Sequence, residues 1–158
     1  MVNQMSEIQE QLVELTNAVW QTVLKLDAHF VSEVPQGALD PGIISGIPIV
    51  GAYNGAIILD CPSSIARVAA SMMFNKEVAD VDGKDEFDAM QELANVIGGN
   101  AIGALPATSR ITLPFAMQRD KVEERLAVYK QEEEVSFRCE AGFFRILVMK
   151  RVASKAKS

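Results

Sequence analysis

The chain has 158 residues, 49% of them hydrophobic and 23% charged, which is typical of one globular domain with a sizeable core. Its net charge of −6 argues against nucleic acid as a partner, because binding to phosphates needs a basic face. No apolar run has the length of a membrane span, and the first residues lack a secretory pattern, so we expect a cytoplasmic protein that does not enter a membrane.

Cysteine and histidine are scarce, and this narrows the possible chemistry. Cys61 and Cys139 are isolated and lack the spacing of metal ligands, which favours two buried, reduced thiols. His29 is the only histidine, so histidine triads and multi-histidine metal sites are excluded. Any chemistry would therefore use carboxylates and amides.

The first predicted element is a long helix. Ser6 is the candidate N-cap, and Gln9 three residues later would complete a capping box. Apolar residues then recur at helical spacing as far as Phe30. Trp20 lies beside this stripe and is expected to be partly buried, and His29 is expected near the helix end as a surface or capping residue.

A hairpin and a second helix follow. Residues 43–49 and 56–60 are short β-type runs, and the Asn54-Gly55 pair between them is typical of a hairpin turn. A helix is predicted from Ile65 to about Phe74, with Met72 and Met73 among its inward-facing residues. A polar, acidic loop then leads to residue 84.

The next predicted helix runs from Asp85 to Leu105 and carries the most informative pattern in the chain. Its apolar side consists of Phe87, Met90, Leu93, Ala94, Ile97 and Ala101. The polar side presents Asp88, Glu92 and Asn95 at i, i+4 and i+7, followed by Gly99 on the same stripe. A solvated face is one explanation. However, the two glycines at 98 and 99 cost a helix about 1–2 kcal/mol relative to alanines, which favours a packing or close-approach role.

The C-terminal part is predicted to be mostly β. Ile111–Met117 reads as a strand with Pro114 at an edge or bulge. Residues 121–125 form a turn or strand entry, and 126–129 and 135–139 are further strands. A turn at Ala141-Gly142 precedes the last strand, Phe143–Val152. The order α-ββ-αα-βββ predicts an α+β fold, with helices packed on a mainly antiparallel sheet. We expect a single domain over residues 1–152 and a basic, disordered tail at 153–158.

The pattern Asp88-x-x-x-Glu92-x-x-Asn95, which continues as Val-Ile-Gly-Gly-Asn100, resembles the signature helix of the CheC/CheX family of chemotaxis phosphatases. The similarity spans roughly residues 40 to 150. It implies a CheC-like fold and hydrolysis of the aspartyl phosphate of a CheY-like response regulator. Pro114 follows Asn95 at a shorter interval than the family's proline, so a shortened loop is expected.

The resemblance also implies roles for the polar stripe. Asn95 would orient the attacking water, and Glu92 would pair with the active-site lysine of the regulator, which makes these two the catalytic candidates. Asp88 and Gly99 are the candidate partner-binding residues. The phosphorylated partner would supply Mg²⁺, and no cofactor of the chain's own is expected. The single motif resembles the CheX branch, which implies a homodimer paired through exposed strands at 111–117 or 143–152.

Less specialised interpretations remain open for the same residues. Glu92 could form a surface ion pair with Lys84 or simply be solvated, and Asn95 could cap a neighbouring loop. Asn100 is expected on the opposite, more buried flank, where it would satisfy backbone groups. Gly98-Gly99 would permit the close approach of another helix or of the regulator. The alternative function is a non-catalytic receiver-binding or flagellar-switch-type scaffold domain.

Overall fold

The computed structural model describes residues 5–152, and the predicted tail at 153–158 lies outside them. The helices in this range are α1 (Glu7–Val19, extended by a π-helical turn at Trp20–Leu24), α2 (Ser63–Phe74), α3 (Gly83–Ala101) and α4 (Glu123–Leu126). The strands are β1 (His29–Val31), β2 (Gly42–Val50), β3 (Gly55–Pro62), β4 (Arg110–Ile111), β5 (Phe115–Gln118), β6 (Tyr129–Cys139) and β7 (Gly142–Arg151).

These strands form one sheet in the order β1-β6-β7-β3-β2-β4, and β5 also pairs with β2. Each pairing between them is antiparallel. The predicted hairpin is present as β2–β3, with Ile49 opposite Gly55, so Gly55 begins β3 instead of lying in the turn. The α+β prediction is therefore confirmed.

The two faces of the sheet carry different apolar clusters because strand side chains alternate. The main core lies between the sheet and the helices α1 to α3, and its strand residues include Ile43, Ile47, Ile57, Phe137, Phe144 and Ile146. The opposite face carries a smaller cluster of Ile44, Ala56, Ile58, Phe115, Val122, Leu147 and Met149. Segment 119–128, which contains α4, borders this second face.

The start of α1 confirms the predicted capping box. The backbone N–H of Gln9 donates to the hydroxyl of Ser6 at 3.2 Å, and the Ser6 N–H donates to Oε1 of Gln9 at 2.9 Å. Two donors that the helix itself cannot satisfy are thereby paired.

The end of this first helical segment was predicted too late. Helical structure stops at Leu24, because Lys25 adopts a left-handed conformation with φ of 58°. His29 and Phe30 instead lie in β1, which pairs with the open edge of β6. Strand pairing thus overrides an apolar spacing that happened to continue the helical period. Trp20 is fully buried rather than partly buried.

Four further expectations differ from the structure. Residue 126 ends helix α4 and 127–128 form a turn, so the strand expected at 126–129 begins only at Tyr129. Strand β7 lies between β6 and β3, so residues 143–152 offer no free edge. The predicted strand at 111–117 is broken into β4 and β5 around Pro114, and both pieces pair with β2. Met72, expected to face inward, is 44% exposed.

A buried carboxylate links distant parts of the second face. Asp60 on β3 has no solvent exposure, and its oxygens accept hydrogen bonds from Nε of Arg119 at 2.9 Å and Nε of Arg145 at 2.8 Å. Arg119 also contacts the exposed Asp40 at 3.1 Å. Because a buried charge is stable only when paired, this cluster fixes the segment after β5 against the sheet.

The two cysteines are buried free thiols, as predicted. Burial raises the pKa of the Cys61 thiol well above its ordinary value, which keeps it protonated and unreactive. No helix described here combines the length and apolar character needed to cross a membrane.

Candidate functional site

The candidate site lies on α3, whose first turn is tightly fixed. Asp82 is the N-cap: its Oδ1 accepts the N–H of Asp85 at 2.8 Å, and the carboxylate of Asp85 accepts the N–H of Asp82 at 3.2 Å. Nζ of Lys76 lies 2.8 Å from Oδ2 of Asp85. This hydrogen bond from Lys76, helped by the backbone hydrogen bond from Asp82, lowers the pKa of Asp85.

A second anchor joins α3 to α2. Nη1 of Arg67 on α2 lies 3.2 Å from Oε2 of Glu86, and Nη2 donates to the carbonyls of Val78 and Val81. Burial raises the pKa of Glu86, while the charge of Arg67 acts in the opposite direction. The guanidinium thus connects three segments at the N-terminal end of α3.

Neither anchor could be found from the sequence. Arg67 and Lys76 belong to segments that precede α3, and nothing in their local patterns distinguishes them from solvated surface cations. Only the packing of α2 beside α3 brings them to the start of the helix.

The inner face of α3 packs on the sheet. Its buried residues are Ala89, Met90, Leu93, Ala94, Ile97, Gly98 and Ala101. A Cβ placed on Gly98 would overlap Cγ2 of Ile47 on β2, whereas a Cβ on Gly99 would meet nothing within 4 Å. Gly98 therefore permits close approach of a strand rather than of another helix, and Gly99 leaves open space on the outer surface.

The outer face of α3 carries the polar stripe as predicted. Glu92 is exposed and Asn95 is partly exposed. Nζ of Lys84 lies 2.6 Å from Oδ2 of Asp88, so Lys84 pairs with Asp88 and the alternative pairing with Glu92 is wrong. Between residues 5 and 152, the side chains of Glu92 and Asn95 have no hydrogen-bond or ion-pair partner, so Asn95 does not cap a loop in this range.

Asn100 has a structural contact but not the predicted burial. Its side chain is exposed, and Nδ2 donates to the carbonyl of Val96 at 2.7 Å. The expectation of a more buried flank is wrong, while the expectation of a bond to backbone near the two glycines is confirmed.

Glu92 and Asn95 can together accept and donate hydrogen bonds to a second molecule. Residues three positions apart lie about 4.5 Å apart along a helix axis and on the same side. The carboxylate of Glu92 can accept hydrogen bonds from a cation, and the amide of Asn95 can both donate and accept. In the described range no group of three or more His, Cys, Asp or Glu is arranged to hold a metal ion. The pair is therefore suited to contacting polar groups that another molecule brings.

Comparison with known proteins is consistent with this geometry. The family described as "Chemotaxis phosphatase CheX" matches residues 43–140, a range that contains α2 and α3. A comparison with curated proteins finds no match.

Similar solved structures cover nearly the whole chain. CheX from Desulfovibrio desulfuricans is 18% identical with a TM-score of 0.66, and the alignment covers 90% of this chain and 98% of that one. The CheX–CheY–BeF3–Mg complex from Borrelia burgdorferi is 17% identical with a TM-score of 0.67, and the alignment covers 92% of this chain and 99% of that one. The FliM middle domain from Vibrio alginolyticus is 10% identical with a TM-score of 0.58, and the alignment covers 91% of this chain and 90% of that one. Identities this low support a shared fold only. The family match, however, extends over more than half of the sequence, and the chain therefore belongs to the CheX family.

Proposed function

We propose that this protein hydrolyses the aspartyl phosphate of a CheY-like receiver domain. The observation that carries the proposal is the pair of an exposed Glu92 and a partly exposed Asn95 on a firmly anchored helix, both free of partners among residues 5–152. Membership of the CheX family supports the reaction, and the Borrelia burgdorferi complex of CheX with CheY supports the class of partner.

Asn95 is assigned to the attacking water. The amide oxygen accepts a hydrogen bond from the water and directs its lone pair at phosphorus, in line with the bond to the aspartyl oxygen. The P–O bond to the aspartate breaks as the new bond forms, giving inorganic phosphate and a free carboxylate on the receiver. A neutral amide suits this position because a carboxylate would be repelled by the phosphoryl oxygens.

Glu92 is assigned to docking. Glu92 lies one turn before Asn95 on α3. Its carboxylate pairs with the active-site lysine of the receiver, and this pair holds α3 over the phosphorylated pocket. Asp88 is already paired with Lys84 and makes a supporting contact. Gly99 leaves room for the receiver to approach. The receiver's own Mg²⁺ and lysine stabilise the developing charge, so the proposal includes no cofactor on this chain.

The experiment is a dephosphorylation assay with a catalytic amount of this protein and an excess of phosphorylated receiver. We expect the wild type to accelerate dephosphorylation of the receiver. Asn95→Ala should reduce this acceleration about 100-fold while still binding the receiver. Asn100→Ala is the matched control. Asn100 is an exposed asparagine on the same helix, and its side chain donates a hydrogen bond to the carbonyl of Val96.

A receiver-binding scaffold without turnover is the second candidate. It is favoured by the similarity of the fold to the FliM middle domain, which indicates that this architecture alone does not imply catalysis. Tight receiver binding with an unchanged phosphate lifetime in the presence of wild-type protein would establish the scaffold and refute the phosphatase.

We also propose a homodimer formed at the sheet edge that carries β4 and β5. This edge lies beside β2 at one end of the sheet. Leu113, between the two strands, is 84% exposed, an unusual position for a large apolar side chain unless another surface covers it. Open strand edges also favour pairing with a second chain.

A further inference from the structure

The face of the sheet away from α3 contains a cavity that the proposed phosphatase does not use. It has a volume of about 570 Å³ and lies between segment 117–129 and the ends of β2 and β7. We refer to it as the second-face cavity. Its volume falls within the usual range of small-molecule sites, about 300–1,000 Å³.

Half of the residues that line the second-face cavity are apolar or aromatic. Pro48, Met117, Val128 and Tyr129 contribute to its lining. Met117 and Tyr129 also pack against the small apolar cluster on this face of the sheet. A ligand bound here would therefore bury an apolar body.

The remaining lining residues are mostly cationic. Lys121, Arg125 and Arg151 line the cavity with one carboxylate, Glu124. All four are exposed, and within residues 5–152 none of the three cations has a carboxylate within 4.0 Å. This local excess of positive charge contrasts with the net charge of −6 of the whole chain.

Arg125 is held in place by a side-chain contact, and strand pairing places Arg151 beside an aromatic residue. The guanidinium of Arg125 lies 4.2 Å from the centre of the Phe115 ring, a cation–π contact that sets it over the apolar cluster. Arg151 is the cross-strand partner of Tyr129, which places a cation and an aromatic residue side by side. A site that is partly preorganised in this way loses less entropy on binding.

We infer that the second-face cavity binds a small organic anion with an apolar body. The apolar lining would cover the body, and the three cations would hold the anionic group. A small molecule fits better than the chain's own C-terminal segment, because Lys155 and Lys157 would be repelled by these cations. The site lies on the other face of the sheet from Glu92 and Asn95, so occupancy leaves α3 free.

The test uses anilinonaphthalene sulfonate as probe, with the full chain and fluorescence detection. Phenylnaphthylamine, which has the same aromatic body without the sulfonate, is the uncharged comparison. We expect the sulfonate to bind at least tenfold more tightly than the amine. Arg125→Glu and Arg151→Glu should each weaken sulfonate binding about tenfold, which corresponds to the loss of one charge-assisted contact.

Arg138→Glu is the matched control, since Arg138 is an exposed arginine on β6 that lies outside the cavity lining. Circular dichroism checks that all variants are folded. Equal sulfonate binding by the wild type and by the Arg125 and Arg151 variants would overturn the inference, and so would equal affinity for the two probes. Sulfonate binding that falls as protein concentration rises would also overturn it, because a second copy would then cover the cavity.

Competition identifies the chemical source of the anion. Adenosine monophosphate represents phosphate esters with an aromatic body, and decanoate represents carboxylates with an alkyl body. Displacement of the probe by either one at millimolar concentration supports the site and assigns its class. Retention of the probe against both would contradict the proposal.

Discussion

Gly98 on α3 lies directly against Ile47 on β2, so closely that any side chain at position 98 would overlap Cγ2 of Ile47. Both residues are buried, and Ile47 lies in the middle of β2 opposite Ile57 of β3. The distance between the proposed site helix and the sheet is therefore set by the absence of one Cβ atom. Position 99, one residue later, faces open space.

We predict opposite effects on stability for alanine at the two glycines. Gly98→Ala should lower the free energy of unfolding by about 1–3 kcal/mol, because overpacking forces α3 away from β2. Gly99→Ala should raise it by about 0.5–1 kcal/mol, since alanine is the better helix former and meets no neighbour. Urea denaturation measures both changes.

A double-mutant cycle checks the cause. In an Ile47→Ala background the overlapping atom is gone, so Gly98→Ala should cost less than in the wild type. Equal costs in the two backgrounds would show that Ile47 is not the reason for glycine at position 98.

The second prediction separates Glu92 from Asp88 in receiver binding. Glu92→Gln should weaken binding of a BeF3-activated receiver about tenfold, because it removes the proposed ion pair with the receiver's lysine. Asp88→Asn should change the affinity by less than about threefold, since that carboxylate already pairs with Lys84. Titration calorimetry at fixed salt concentration measures both. Equal losses for the two variants would indicate a general effect of negative charge rather than a specific contact.

The third prediction concerns the titration of Asp85. Because the hydrogen bond from Lys76 lowers the pKa of this carboxyl, Lys76→Met should raise it toward its ordinary value of 3.8. The ionised carboxylate stabilises the folded protein above pH 3.8, and this contribution is lost as pH falls through the lower folded-state pKa. Carboxyl ¹³C shifts followed by NMR give the midpoint. An unchanged midpoint in Lys76→Met would mean that the lysine does not hold the first turn of α3.

The fourth prediction concerns the buried carboxylate on the second face. Asp60→Asn should destabilise the fold by about 3 kcal/mol, since Arg119 and Arg145 lose the charge that both contact. Asp40→Asn removes the other carboxylate that contacts Arg119. Because Asp40 is 61% exposed, the free energy of unfolding should fall by less than about 1 kcal/mol. Urea midpoints distinguish the two, and similar losses would refute the role of burial.

The fifth prediction tests the proposed dimer. Leu113→Lys should shift the sedimentation of the protein from dimer to monomer, because it places a charge in the centre of the proposed contact. Val78→Lys is a control of the same kind, since Val78 is an exposed apolar residue on the loop before α3. A wild type that sediments as a monomer at all concentrations would remove the dimer.

The sequence by itself was sufficient for features that depend on neighbours along the chain. The capping box at Ser6, the β2–β3 hairpin and the amphipathic character of α3 all follow from short-range geometry, which repeats at fixed intervals along the sequence. The same periodicity placed Glu92 and Asn95 together on the outer face of one helix, where the structure finds Glu92 exposed and Asn95 partly exposed.

Tertiary structure decided everything that depends on which segments meet. Strand pairing with β6 ended the first helix early, and packing on Ile47 rather than on another helix explained Gly98. The anchors Arg67 and Lys76 and the cations of the second-face cavity come from segments whose local sequence gives no sign of their destination. The physical reason is that helix and strand periods are local properties of the backbone, whereas burial and ion pairing arise only when distant parts of the chain pack together.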